Sequence, residues 1–545
     1  MEARRPNALD LGCFLLLVGM PLAFSPFSAG PFADVKLVLL AAGTFCIWLS
    51  GLPVDRRLTW PALVWVLVTA VAVVAGVDPT RSMTASTTGG GGGLLLTGCC
   101  AYLVAVGPSI PSRLLPRIRN WIGWTAVVVA LVQVANVLWP TQLADIAHVS
   151  FVGSTFGNQI FASAFVAVGL VAVVANERLP IGVRLAVSAI LAFGLSAAGE
   201  RSSALLPILG LAIAFARSRV PIGRAALLLG WVVAMFVVWQ VIETALPAKD
   251  VNSATGQFQS IQTDAARVVM WRVSAHGWLE RPILGWGPNT TQSAYLHTAT
   301  IGDVNRAGRG WADAHDLFLE TAVTTGALGL LALLWLTWRV VGRATRAPID
   351  RGWILAAAAV LAAFAVVEPL NLVLTPLLFL FAGIAAGRGT QQVDLPPPAE
   401  RRSGAGRIAA GVAFGLAVVV TLVMLAAATL ERWGTAYGET WAYRDALRLE
   451  PWRLSASEAL AKRLAFDGRN GNAAAADEAR TIITSAVADH PWEANVRLFA
   501  GEDETVLGDA AAAQHWYRAH LARFPGDVAI VIQRVNAPAG LSTSI

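Results

Sequence analysis

A chain of 545 residues in which 56% are apolar and only 14% are charged is not an ordinary water-soluble domain, where charged residues make up about a quarter. The formal charge of +6 rests on arginine, since Lys36, Lys249 and Lys462 are the only lysines. Most of that charge falls in short loops between apolar runs, which points to membrane topology and not to a nucleic-acid partner.

The apolar runs have the roughly 17–25 residues needed to cross a bilayer. The expected fold is all-α: a polytopic membrane protein of about 12–13 transmembrane helices, a large extracytoplasmic loop and a C-terminal helical soluble domain. Spans are expected near 9–26, 35–52, 59–77, 89–107, 121–139, 158–175, 183–199, 202–217, 224–243, 316–339, 352–368, 371–387 and 408–430. Met-Glu-Ala-Arg-Arg precedes the first run without a convincing cleavage site, so that run reads as a span and not as a removed leader. The fourth is interrupted by glycines from Gly89 to Gly93. Each lowers helix propensity by roughly 1 kcal/mol, or lets helices approach closely in a membrane. Cys13, Cys46, Cys99 and Cys100 all sit inside apolar segments and read as small buried hydrophobes without a disulfide framework.

With a cytoplasmic N-terminus, the arginines fall in alternate loops: Arg56 and Arg57; Arg113, Arg117 and Arg119; Arg178 and Arg184; Arg217, Arg219 and Arg224; Arg339 to Arg351; and Arg388 to Arg407. The positive-inside rule then puts residues 244–315, and everything after 430, outside the plasma membrane. The domains expected are a membrane domain over 1–387 that includes the 244–315 loop, a cytoplasmic linker over 388–407, a last span over 408–430 and an extracytoplasmic module over 431–545. In that module Pro451, Pro491 and Pro525 follow Ala-rich helical stretches at similar spacing. This looks like degenerate tetratricopeptide repeats, or else a plain helical bundle. Either reads as a binding or scaffolding surface for a protein partner.

The loop closes on Gly308-Arg-Gly-Trp-Ala-Asp-Ala-His-Asp-Leu-Phe-Leu-Glu-Thr-Ala-Val-Thr-Thr-Gly-Ala-Leu-Gly329 and runs straight into an apolar helix. His315 and Asp316 therefore stand at a membrane helix mouth. On spacing alone the pair reads either as a helix cap or as ionisable groups with a function. Arg201, in Gly199-Glu-Arg-Ser-Ser203, sits in a turn too short to leave the membrane surface and needs a partner: Glu200, Glu368 or an anionic ligand. Arg267 and Arg272 bracket Trp271, and Arg281 opens Arg-Pro-Ile-Leu-Gly-Trp-Gly-Pro288. Guanidinium groups grip phosphate oxygens at two points; for Arg272 and Arg281 a solvated or headgroup-facing charge explains as much. Trp278, Trp286 and Trp311 could stack on sugars, although interfacial anchoring is the simpler role. His276 and His297 read as loop residues of unassigned role. His490, His515 and His520 read as residues on solvated helix faces.

Three pieces of the chain together resemble the O-antigen ligase and polymerase superfamily of bacterial envelope glycosyltransferases. His315-Asp-Leu-Phe-Leu319 with Gly326 and Gly329 is similar to its His-Asn-x-x-Leu…Gly-x-x-Gly signature. Arg267-Val-Val-Met-Trp271 with Pro282-Ile-Leu-Gly-Trp-Gly287 is similar to its Arg-x-x-x-Trp…Pro-(Leu/Ile)-x-Gly-x-Gly run. Glu200-Arg201-Ser202 stands where the family has Ser-Arg-small, and Thr155-Phe-Gly-Asn158 resembles a further loop before a span. Asp316 replaces the usual Asn, Glu200 the usual Ser, and Thr324 stands where an acid is common.

The resemblance implies glycosyl transfer, without a metal or other cofactor and with inversion, from a polyprenyl-pyrophosphate-linked glycan. The acceptor hydroxyl would lie on a glycan, lipid or protein at the outer face of the plasma (inner) membrane. It implies Arg201 and Arg267 on the pyrophosphate and His315 as general base. Arg272, Glu200, Asp316 and Trp271 are further site candidates. The alternatives are a polymerase of lipid-linked repeat units, a transporter or flippase for lipid-linked sugar, and a scaffold. A transporter predicts internal repeats and charges along a midplane path, whereas the polar exceptions here gather at one face.

Overall fold

The computed structural model describes residues 7–83, 93–139, 142, 154–199, 201–218, 220–245, 262–346, 351–368, 371–387 and 405–536, and among them only helices and connecting loops occur. Each of the thirteen expected spans coincides with helix. The first nine are α1 (Ala8–Leu22), α2 (Asp34–Leu49), α3 (Arg56–Ala75), α4 (Leu94–Val106), α5 (Leu115–Leu138), α6 (Gln159–Val174), α7 (Ile181–Ala197), α8 (Arg201–Ser218) and α9 (Ile222–Ala245). Three helices follow within the long loop: α10 (Gln262–Glu280), α11 (Thr291–Thr298) and α12 (Ile301–Ala307). The bundle resumes with α13 (Leu317–Ala344), α14 (Gly352–Val367), α15 (Leu374–Ala385) and α16 (Ala405–Tyr437). By length and composition, helices over Arg56–Ala75, Ser112–Leu138, Ile222–Ile242, Leu317–Ala344 and Ile408–Tyr437 can each cross a membrane, and shorter apolar helices pack among them. The chain is a multi-pass membrane protein.

Several helices start where an Asn or Asp side chain accepts an otherwise unpaired first-turn N–H. Asn7 accepts from Asp10 N, Asp55 from Arg57 N and Asn158 from Ile160 N. The core is built from small and branched side chains, so helices can approach closely: a Cβ on Gly194 would overlap that of Ala130 across the α5–α7 contact. The glycine run falls outside the described residues except Gly93, which forms the N-cap of α4.

Among the described residues, the arginines of the alternate loops collect at one end of the bundle, where Arg343 pairs with Asp55 and Arg117 with Asp10. The long loop and the chain after α16 collect at the other. That C-terminal chain forms α17 (Thr440–Leu449), α18 (Leu454–Arg469), α19 (Ala473–Asp489), α20 (Val496–Leu507), α21 (Ala510–Arg523) and α22 (Val528–Asn536). Pro451, Pro491 and Pro525 each lie just past a helix end, as their inability to continue a helix predicts. The helix that holds the last expected span extends past 430. α16 runs to Tyr437 and ends at Gly438, whose φ of 71° suits glycine, so the membrane helix continues directly into the C-terminal module.

Two histidines differ from the expectation of solvated faces. His490 is buried with Nδ1 3.0 Å from Asp78 Oδ2, and His520 is buried with Nε2 3.1 Å from Asp527 Oδ2. The reason is docking: the turns at Pro491 and Pro525 press into the long loop. Trp492 packs edge-on to Trp286 and to His297, with the Arg523 guanidinium 4.3 Å over its ring. Arg81 pairs with Glu493. Phe524 and Ala494 join Met270, Val273 and Tyr295 in one apolar cluster.

Candidate active site

The site is organised by a break in α13. Gly326 adopts φ 67°, ψ −170° inside the helix, which releases backbone groups that must find partners at membrane depth. The segment Pro282–Gly287 supplies them. Ala327 N donates to Pro282 O at 2.7 Å and Leu328 N to Ile283 O at 3.3 Å. Trp286 N and Gly287 N donate to the carbonyls of Val323 and Thr324, both at 2.9 Å. The approach is backbone against backbone. A Cβ on Gly326 would overlap the Ile283 carbonyl, and one on Gly285 would stand 2.5 Å from Thr324 C. The paired glycine motifs are thus two halves of one joint. Trp286 is buried within this joint, its Nε1 donating to Gly277 O at 2.7 Å; it is not an interfacial anchor.

The joint fixes the first turn of α13 and the loop before it. Asp316 is the N-cap, accepting from Leu319 N at 2.7 Å. The cap is therefore Asp316, which leaves the neighbouring imidazole free for other contacts. His315 itself adopts φ 46°, a left-handed conformation that costs a bulky residue on the order of 1 kcal/mol or more. Its N–H donates to Asp313 Oδ1 at 3.0 Å, and Trp271 Nε1 donates to Ala314 O at 3.1 Å. Glu320, one turn into α13, accepts from Ala314 N and from Thr291 Oγ1, each at 2.8 Å. Trp311 lies edge-on to the imidazole, with centroids 4.8 Å apart.

This arrangement aims the His315 ring at two carboxylates. Nδ1 lies 2.8 Å from Glu368 Oε2, while Nε2 faces Asp313 Oδ1 at 3.6 Å, too long for a hydrogen bond. Glu368, at the C-terminal end of α14, is buried and also pairs with Arg267 through its other oxygen. Burial alone would lower the imidazole pKa. The Glu368 bond and the charges of Asp313 and Glu368 outweigh it, against Arg267, and the net displacement is upward from 6.5. Asp313 is pushed up by burial and by the Glu368 charge, with His315 opposing.

The site candidates divide as follows. Arg267, Trp271 and His315 come together. Arg272 reaches the other face of α10 and pairs with Asp303, whose carboxyl also closes the capping box of α12. Arg281 lies over the Trp286 ring, 5.2 Å from its centroid. Arg201 begins α8, but its side chain, like Glu200, lies outside the described residues. Glu368, weighed above as a partner of Arg201, holds Arg267 and His315. Asp313 and Glu320 carried no sequence signal beyond their nearness to His315. Asn158 caps α6, and Thr155 accepts from buried Lys36 through its carbonyl. Among the described residues no group of three or more His, Cys, Asp or Glu is placed to hold a metal ion.

A multi-pass helical bundle carrying a histidine, two carboxylates and a guanidinium at the mouth of a broken helix is the class that fold and site define. Residues 185–334 match the family model described as O-antigen ligase. The matched segment contains the His315, Arg267 and Pro282–Gly287 motifs. This match supports a glycan-processing membrane protein of the ligase or polymerase type. No curated protein and no solved structure matches the chain.

Proposed function

We propose that the chain transfers a glycan from a polyprenyl-pyrophosphate donor to an acceptor hydroxyl at the outer face of the plasma membrane. The observation that carries this reading is the His315 ring, held at Nδ1 by Glu368 with Nε2 left open, beside the Arg267 guanidinium. With Glu368 ionised, Nδ1–H donates to it, so Nε2 holds the lone pair that can take a proton. The acceptor O–H gives its proton to Nε2, and its oxygen bonds to the anomeric carbon from the face opposite the leaving group. The bond from that carbon to the pyrophosphate oxygen breaks, and the electron pair leaves with the pyrophosphate. Inversion follows from a single displacement.

Pyrophosphate leaves readily, so cation stabilisation of its charge is the larger requirement. Arg267 supplies this by exchanging part of its pairing with Glu368 for phosphate oxygens, and Arg201 is assigned the same role. The arginine-rich end of the bundle supports placing the site on the opposite, outer side. Joining lipid-linked repeat units to one another would use the same groups, with a second lipid-linked glycan as acceptor. The C-terminal module, docked through Trp492 and Arg309–Asp527, holds the loop in place and offers a surface for a protein partner.

The test is genetic, with a chemical readout. In a deletion strain restored with His315→Ala at matched expression, lipid-linked glycan accumulates and the finished polysaccharide is absent. Full restoration by His315→Ala contradicts the reading.

A further inference from the structure

A cavity of about 960 Å3 lies where α16 leaves the bundle and enters the C-terminal module, near the top of the roughly 300–1,000 Å3 spanned by ligand pockets. One side is the turn between α1 and α2, at Pro26 and Ser28; the others are the last turns of α16 and one face of α18. Ala29 N donates to Ala428 O at 3.1 Å, which pins that turn to α16. Phe27, Trp433, Tyr437 and Trp441, next to these segments in the chain, are exposed. Exposed aromatic rings at the end of a span mark the headgroup level of a bilayer. The cavity therefore stands at the membrane surface, at the end of the bundle that carries the long loop.

Its charges are unevenly committed. Glu431 pairs with buried Arg453, whose guanidinium Glu450 shares. The Lys462 charge acts on Glu502 and Asp503 of α20. Arg432, on α16, and Arg463, on α18, have no ion-pair partner among the described residues. Arg463 reaches across to the end of α16, its Nη1 3.8 Å from where a Cβ on Gly438 would stand. Glu458, on α18, has no hydrogen-bond or ion-pair partner among the described residues, and its Oε1 is closed off from solvent. Burial and the charges of Asp503, Glu502 and Glu431 hold its carboxyl well above the usual carboxylate range. An unpaired buried acid costs free energy, and a cation beside it offsets that cost.

Two uncommitted guanidinium groups suit phosphate oxygens, and the unpartnered acid suits an ammonium. Pro26, Phe466 and Phe499 add apolar wall beside these charges, as an occupant with a charged head and an apolar remainder requires. We propose that this cavity holds the headgroup of a zwitterionic aminophospholipid, with its phosphate on Arg432 and Arg463 and its ammonium on Glu458. The site lies apart from His315, and its assignment does not depend on the glycosyl-transfer reading.

The test measures lipid binding to the full chain, purified in detergent and stripped of lipid, by native mass spectrometry. The probes are phosphatidylethanolamine, phosphatidylglycerol, which keeps the phosphate without the amine, and glycerophosphoethanolamine, which keeps the headgroup without the chains. Wild type binds phosphatidylethanolamine about tenfold more tightly than phosphatidylglycerol, the size of one hydrogen bond to a charged group. Glu458→Gln removes that preference and leaves phosphatidylglycerol affinity within about twofold. Arg463→Gln, at an exposed position, weakens both lipids about tenfold and carries the test if Glu458→Gln does not accumulate. Equal wild-type affinity for the two lipids overturns the proposal. So does a preference that survives Glu458→Gln, or phosphatidylethanolamine binding that Arg463→Gln leaves unchanged. Glycerophosphoethanolamine competing at the same concentration as the lipid overturns the lipid assignment, because the cavity would then be a site for a soluble phosphate ester.

Discussion

The two ends of the bundle use the same residue types for different purposes. At the arginine-rich end, guanidinium groups sit on the last carbonyls of helices. Arg351 donates to Ile384 O, Arg343 to Ala386 O, Arg217 to Thr345 O and Arg184 to Val174 O. These contacts satisfy helix C-termini and follow the macrodipole. At the other end the one buried carboxylate of Glu368 is shared by Arg267 and His315, and Asp313 faces the far side of the ring. A cation that ends a helix is complete as it stands. A cluster in which two donors share one carboxylate can exchange partners when a phosphate or a hydroxyl arrives.

The sharpest way to break that comparison is to remove the ring. His315→Ala is expected to lower the transfer rate by about 10²–10⁴-fold, the range for losing a general base, with unchanged accumulation of the protein in membranes. Gly326→Ala attacks the joint and not the chemistry. Placing a Cβ at φ 67° against the Ile283 carbonyl is expected to cost about 1–3 kcal/mol, read as a lower melting temperature together with loss of transfer. A lower melting temperature with unchanged transfer would show that the joint does not set the position of the site.

Glu368→Gln separates orientation from charge. It keeps a group able to accept from Nδ1 and removes the anion that raises the imidazole pKa, so the rate falls about tenfold or more and the pH dependence moves. The sign follows from the raised pKa of His315. Its ion pairs contribute stability that is fully present below about pH 6.5 and is lost as pH rises through the higher folded-state value. Base function has the opposite demand: activity rises with pH through that same value. Transfer therefore increases over a range where this contribution to stability declines, which thermal melts across pH 6–9 can check. At the far end, Arg343→Ala breaks a half-buried pair with Asp55 and is expected to cost about 1 kcal/mol while transfer stays within about twofold. A large loss of transfer there would erase the distinction between the two ends.

The sequence made the helices legible because each is a long apolar run, and the glycines because few residues tolerate such close approach. His315, Arg267 and Trp271 were legible as motifs, since each lies in a short stretch with several fixed neighbours. What could not be read was the partner of each charge. Glu368 lies 53 residues from His315 and 101 from Arg267, and only the packing of α14 against the loop brings them together. Asp313 and Glu320 gave no pattern of their own, because their roles come from burial and from donors on other elements. His490 and His520 were misread for the same reason: a helical face in an Ala-rich module looks solvated until the surface it docks on is known.

The most direct measurement of the central claim is the pH dependence of kcat for the wild-type chain and for Glu368→Gln, in nanodiscs with lipid-linked donor at saturation. The account predicts a wild-type acid limb above pH 6.5 that moves to lower pH in Glu368→Gln. A limb that stays in place, or moves upward, would contradict the assignment of His315 as a base held by Glu368.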